Sequence, residues 1–178
     1  IYEGANGIQA MDLIGRKLGM KKGAYFMSLL GEMNATVAKY KDGPGTAELA
    51  TDLQAAVGAL GDASMFFMKC ASEMKFLVPV VQAYPFLMMM GKVVSAWLLY
   101  WMAGVAGEKL AALEAEKGAA DAAAKKRLIK DNADAAYYAG KLASARYFIK
   151  NILPEVAAGL VAIKNADMSP VEIADESF

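Results

Sequence analysis

Histidine is absent from these 178 residues, and cysteine occurs once, at Cys70. A Ser-His-Asp or Cys-His relay therefore cannot be assembled, nor can a structural zinc site, which needs imidazoles or several thiolates. No metal site is expected. A single thiol builds no disulfide framework, so nothing points to an oxidising compartment, and a cytoplasmic location is the expectation. Surplus charge is missing too: 19 Lys and Arg balance 19 Asp and Glu. Nucleic-acid binders gain affinity by neutralising phosphates with an excess of basic residues, so that class is disfavoured. The opening residues show no basic n-region followed by an apolar run, and no signal peptide is read in them. Strand-like alternation is found nowhere.

What is present is helical periodicity in a chain that is 57% hydrophobic, enough for one domain with a real core. Phe26, Leu30, Met33, Val37 and Tyr40 recur at alternating four and three, the spacing of a helix face, until "KDGPG" at 41–45 stops it. Leu49, Leu53, Ala56, Leu60, Ala63, Phe67, Cys70, Met74 and Leu77 predict one long helix with a continuous seam. Pro79 and Pro85 bracket a break. The stretch 86–107, whose only charge is Lys92, predicts a core helix rather than a membrane span, because its uncharged part is shorter than the ~20 apolar residues a bilayer requires. Gly118 is the expected stop. A further helix, over "ADAAAKKRLIKDNADAAYYAGKLASARYFIKNIL" at 120–153, carries Ala135, Tyr138, Leu142, Ala145, Ile149, Ile152 and Val156 on one face, and Pro154 should kink it without ending it. The polar, acidic end from residue 165 is expected to fray or dock on a neighbour. Together these predict an all-α fold, an up-and-down bundle of long antiparallel helices.

Two features have bland readings as good as any chemical one. Cys70 sits on the seam and reads as a buried, inert thiol. The run "KKR" at 125–127 could touch a nucleotide phosphate, but "DNAD" close behind it favours a solvated helix face. Trp97, Tyr100 and Trp101 read as core or as a subunit contact.

The opening "IYEGANGIQA" holds most of the chemical information. Asn6 is a good N-cap, and Ile8, Met11, Ile14 and Leu18 form an apolar face behind it, so a helix is expected from about Gly7. Glu3 then lies in the loop before a helix N-terminus, where an ionised carboxylate is stabilised. It reads either as an ordinary acid on the helix dipole or as a base whose pKa is raised by burial under an apolar substrate.

"IYEGANGIQAMDLIGRKL", residues 1–18, resembles the segment of acyl-CoA dehydrogenases that reads I-Y-E-G-T-x-x-I-Q and supplies their catalytic glutamate. Residues 19–178 resemble, in helix pattern and length, the extra helical domain of one branch of that family, which includes methylthiopropanoyl-CoA dehydrogenase. The resemblance implies that Glu3 removes the α-proton of an acyl-CoA while the β-hydrogen leaves as hydride to FAD, giving a trans-2-enoyl-CoA. It implies that Gly4 lies against the substrate, that Ala5, Asn6 and Gly7 approach the FAD, and that electrons pass to an electron-transfer flavoprotein. Residues 1–20 would end the catalytic bundle and 21–178 would form the extra C-terminal domain, in a homo-oligomer.

Two residues depart from the family pattern. Ala5 replaces a threonine, so a flavin contact there would use backbone, and Arg16 sits one position later than the family's arginine, so no substrate role is carried to it. The domains that hold flavin and CoA in the family precede this motif and are not in the sequence, so the expectation is a C-terminal piece, inactive alone. The alternative is a non-catalytic helical interaction or oligomerisation domain. A membrane protein built on 86–107 is a further reading. The DNA-binding variant known within the family is disfavoured by the balanced charge.

Overall fold

A computed structural model describes residues 4–177, and among these every regular element is helical, as expected. The order is α1 (Gly4–Asp12), a π-helical turn (Leu13–Lys17), a 3-10 turn (Met20–Gly23), α2 (Ala24–Tyr40), α3 (Ala47–Ser72), α4 (Leu77–Val81), α5 (Ala83–Glu116), α6 (Ala122–Asp131), α7 (Ala133–Asn151), α8 (Glu155–Asn165), α9 (Ser169–Glu172) and a closing 3-10 turn (Asp175–Ser177). The residues divide into two compact units. The first comprises the chain up to Glu32, Ala56–Val93 and the chain from Glu155 onward; the second comprises Met33–Ala55 and Val94–Pro154.

In the second unit the core is drawn from Met33, Val37 and Tyr40 of α2, Leu49 and Leu53 of α3, Ala96, Tyr100, Ala103 and Ala106 of α5, and Ala135, Ala145 and Ile149 of α7. Helix directions follow from paired contacts. Trp97 Nε1 donates to Thr36 Oγ1 at 2.9 Å, and four residues further along α2 the Tyr40 ring lies over Gly104, so α2 and α5 run the same way. Glu48–Arg146 and Asp52–Lys150, each at 2.6 Å, align α3 and α7 likewise. Because α2 turns straight back into α3, where Gln54 reaches Asn34 at 2.7 Å, the order alternates up and down.

The α2–α3 turn is the most constrained part of this unit. Thr46, fully buried, donates its hydroxyl to the Tyr40 carbonyl at 2.7 Å, and the Gly43 amide donates to the same oxygen at 3.0 Å. Gly45 takes a φ of +79°, which glycine adopts without the Cβ penalty. A Cβ at Gly107 would collide with the Pro44 carbonyl, and one at Gly104 with the Tyr40 ring. The turn therefore rests on α5 where α5 has no side chains.

In the first unit Leu60, Ala63 and Phe67 of α3 pack with Phe86, Met89 and Val93 of α5 and with Val156 and Ile163 of α8, all buried. Phe67 meets Phe86 edge-on at 5.2 Å between ring centroids. Lys92, the single charge in the apolar stretch of α5, pairs with Glu155 at 2.5 Å.

Some expected boundaries move. The α3 seam is buried as far as Cys70, but Met74 and Leu77, expected to extend it, are exposed. The Lys75 amide closes on the Cys70 carbonyl at 2.8 Å and Met74 takes a φ of 57°, the hydrogen bonding of a Schellman cap with methionine in the left-handed position. Gly118 closes α5 in the same way, as expected, with the Ala119 amide on the Glu114 carbonyl at 2.8 Å. Pro154 ends a helix instead of kinking it: α7 stops at Asn151 and α8 starts at Glu155, because proline has no amide to give to the preceding turn. The helix expected to span this region also breaks at Asn132, whose side chain caps α7 by accepting from the Ala135 amide at 2.9 Å.

Among the described residues α5 alone is long and apolar enough to cross a membrane by length and composition. Its buried residues, Phe86, Met89, Val93, Ala96, Tyr100, Ala103, Ala106 and Leu110, recur at three and four as on a core helix.

Gly107→Ala should lower the unfolding free energy by about 1–3 kcal/mol, since the new methyl meets backbone that cannot step aside. Gly91→Ala, exposed on the same helix with open space around its Cβ, should raise it by about 0.5–1 kcal/mol. Urea titration of helical circular dichroism measures both, and equal effects would contradict the seating of the turn on α5.

Candidate functional site

Glu3, the expected base, lies outside the described residues. Of the other expected site residues, Gly4, Ala5, Asn6 and Gly7 form the first turn of α1, and all four are exposed. The helix thus starts three residues before the expected start at Gly7, which places Asn6 inside the turn rather than at its edge. A Cβ added at Gly4 or Gly7 would meet nothing, and neither has a positive φ, so no packing among the described residues calls for glycine there. Each costs about 1 kcal/mol relative to alanine in a helix interior, less at an end. Behind the turn only Ala10 is buried, while Ile8 and Met11 face solvent. Small residues, first-turn amides without intrahelical partners and uncovered apolar side chains thus share one exposed end.

Arg16 turns back within its own segment. Its Nε and Nη2 donate to the two carboxylate oxygens of Asp12 at 2.6 and 2.9 Å, which holds the Asp12 carboxyl below and the Arg16 guanidinium above their ordinary pKa ranges. Lys21, Lys22 and Gly23 follow with φ of 52°, 60° and 82°. Left-handed backbone costs a non-glycine residue about 1–2 kcal/mol, so the two lysines make this a strained joint between the first turns and α2.

The expected solvated face at 125–127 is present: Lys125 pairs with Glu114 at 2.6 Å, and Lys126 and Arg127 are exposed. Among the described residues no cluster of three or more Cys, Asp or Glu could hold a metal ion. A concave feature that sequence reasoning missed lies in the second unit, a groove of about 560 Å³ between α5 and α7. Leu98, Trp101, Met102 and Val105 line one side, Tyr137 and Tyr138 the other, with Lys109 and Lys141 among them. Trp101, Val105 and Lys109 at spacing four, with Tyr137 and Lys141 at the same spacing, were the signal that could have found it.

A family model described as "Acetyl-CoA dehydrogenase C-terminal like" matches residues 29–174. Two butyryl-CoA dehydrogenases of Syntrophomonas wolfei are 28% identical over 182 residues and 29% identical over 178. Each match covers 100% of this chain and 26% of the relative. The broad-specificity linear acyl-CoA dehydrogenase FadE5 of Mycobacterium tuberculosis is 28% identical over 186 residues, covering 100% of this chain and 27% of that protein. The chain therefore spans about a quarter of the length of the relatives it matches.

Two buried groups invite chemistry and lack the means for it. Burial pushes the Cys70 thiol pKa up, opposite to what a nucleophile needs. Among the described residues the buried Tyr100 hydroxyl has no hydrogen-bond partner, and burial raises the phenol pKa, with Thr46 acting in the opposite direction. A disulfide reagent should label Cys70 at least ~100-fold more slowly in the folded chain than in urea, because access requires opening of the core. Tyr100→Phe should leave stability unchanged or raise it by up to ~1 kcal/mol, since it removes an unpaired buried hydroxyl. Rapid native labelling, or a large loss of stability in Tyr100→Phe, would contradict these assignments.

Proposed function

Because the chain belongs to the family of acetyl-CoA dehydrogenase C-terminal-like domains, we propose that it is the C-terminal part of an FAD-dependent dehydrogenase that converts an acyl-CoA to a trans-2-enoyl-CoA. In this reading residues 1–20 end the catalytic bundle and 21–178 form the additional helical domain of one branch of the family. The parent protein is a cytoplasmic homo-oligomer that passes electrons to an electron-transfer flavoprotein. The observation that carries the reading is the exposed turn Gly4–Gly7, which directly follows the Ile-Tyr-Glu of the motif and holds two glycines that nothing among the described residues requires.

Glu3 is the base in this proposal. Its carboxylate takes the α-proton of the thioester and is left as the neutral acid. Contact with the acyl chain raises its pKa by desolvation, which brings a carboxylate into the range useful for abstracting a proton from carbon. Gly4 lets the substrate approach the backbone. Ala5, Asn6 and Gly7 are small and exposed and begin a helix, so their backbone amides fit one polar edge of a flavin; Ala5 brings no hydroxyl, and its contribution is backbone alone. FAD, when bound, supplies the acceptor for the β-hydrogen. The remaining walls of such a site belong to residues upstream of this sequence, and preorganised surroundings are what turn a carboxylate into a catalyst. The 178-residue chain by itself is therefore inactive in this proposal.

The uncovered groove between α5 and α7 favours a second reading, a helical domain that serves assembly alone. One experiment separates the two. In the protein carrying the upstream region, Glu3→Gln should retain flavin and acyl-CoA binding while kcat falls by about 10²–10⁴-fold, the usual contribution of a positioned base. Wild-type turnover in Glu3→Gln would overturn the catalytic assignment and leave assembly as the role of the chain.

A further inference from the structure

We infer that the groove between α5 and α7 receives the acidic segment Ser169–Ser177 of a second copy of this chain, in a reciprocal exchange between two copies. The groove has an apolar floor that is left uncovered: Trp101 is 46% exposed and Tyr137 60%. Leu98, Met102 and Val105 are exposed beside them. Monomer surfaces seldom leave aromatics and aliphatics contiguous in this way without a binding role. Charge defines the occupant. Lys109 and Lys141 are the charged residues lining the groove, no carboxylate lines it, and among the described residues neither lysine has an ion-pair partner. Each is held against a ring rather than free in solvent: Lys109 Nζ lies 5.7 Å from the Tyr138 centroid and Lys141 Nζ 5.0 Å from that of Tyr137. The groove thus asks for a short apolar element carrying negative charge.

The chain contains such an element. Every residue from Ser169 to Ser177 is exposed, so none of them belongs to the core. Val171 and Ile173 stand about half exposed, and Glu172, Asp175 and Glu176 supply the acids with no basic residue among them. The two aliphatics fit the apolar floor and the carboxylates fit the lysines. In a two-fold pair each copy gives one segment and receives one, which doubles the contact that one segment alone provides. The inference needs no flavin chemistry and stands independently of the role given to Glu3.

The test uses the 178-residue chain in low-salt buffer. Sedimentation should show a concentration-dependent dimer, and Trp101 emission should shift to the blue as it forms. Lys109→Glu/Lys141→Glu should weaken dimerisation at least tenfold. Combining it with Glu172→Lys/Asp175→Lys/Glu176→Lys should restore it, while helical circular dichroism stays unchanged throughout. A chain shortened after Ala166 should be monomeric and should bind a synthetic peptide of residues 167–178, with affinity falling as salt is added. A monomer at all concentrations, a dimer indifferent to both charge reversals, or a Trp101 shift that is independent of concentration would each overturn the inference.

Discussion

The seating of the α2–α3 turn on α5 is the constraint from which the second unit takes its form. Pro44 and Tyr40 come so close to Gly107 and Gly104 that one methyl group at either glycine would force backbone or ring aside. That approach sets the axial position of α5 against α2. The Tyr40 carbonyl, which accepts from both Thr46 and Gly43, ties the reversal of the chain to the same point. The surface pairs Glu48–Arg146 and Asp52–Lys150 then agree in register, and exposed pairs of this kind are worth only about 0.2–1 kcal/mol each. They follow the packing and do not create it. Cβ-free contact does.

Against that closely packed interior, the start of the chain is unfinished. Ala10 alone of α1 is buried, the first turn is glycine-rich with no reason for it among the described residues, and two lysines in left-handed backbone join it to α2. Strain and open surface of this kind persist where an element is held by something besides its own chain. The proposed function gives this segment a partner surface in the three quarters of its relatives' length that this chain does not cover.

Much of this was readable in the residues, and the exceptions have physical causes. The α2 face from Phe26 to Tyr40, the α3 seam as far as Cys70 and the stop at Gly118 follow from spacing and glycine chemistry, and each is found. Met74 was missed because a left-handed cap is written in glycine far more often than in methionine, and the seam spacing ran on past it. Asn132 was hidden in a polar stretch where periodicity is faint, although an asparagine ahead of alanines is a cap in its own right. On α5 the trouble was excess: with apolar residues on nearly every face, spacing alone could not separate the buried Tyr100 from the half-exposed Trp101 one residue on. The groove went unseen for that reason. For the candidate site, the nine-residue motif carries the proposed chemistry, whereas the exposure of Gly4 to Gly7 depends on which surfaces surround them, and no local pattern encodes that.

The central claim is that this chain supplies one edge of a flavin site and that the rest of the site lies upstream. Equilibrium dialysis of FAD against the 178-residue chain, followed by addition of butanoyl-CoA and an artificial electron acceptor, tests it most directly. The account predicts no flavin retained and no enoyl-CoA formed, with both restored once the upstream region is present. Stoichiometric flavin and turnover by the 178 residues alone would contradict it.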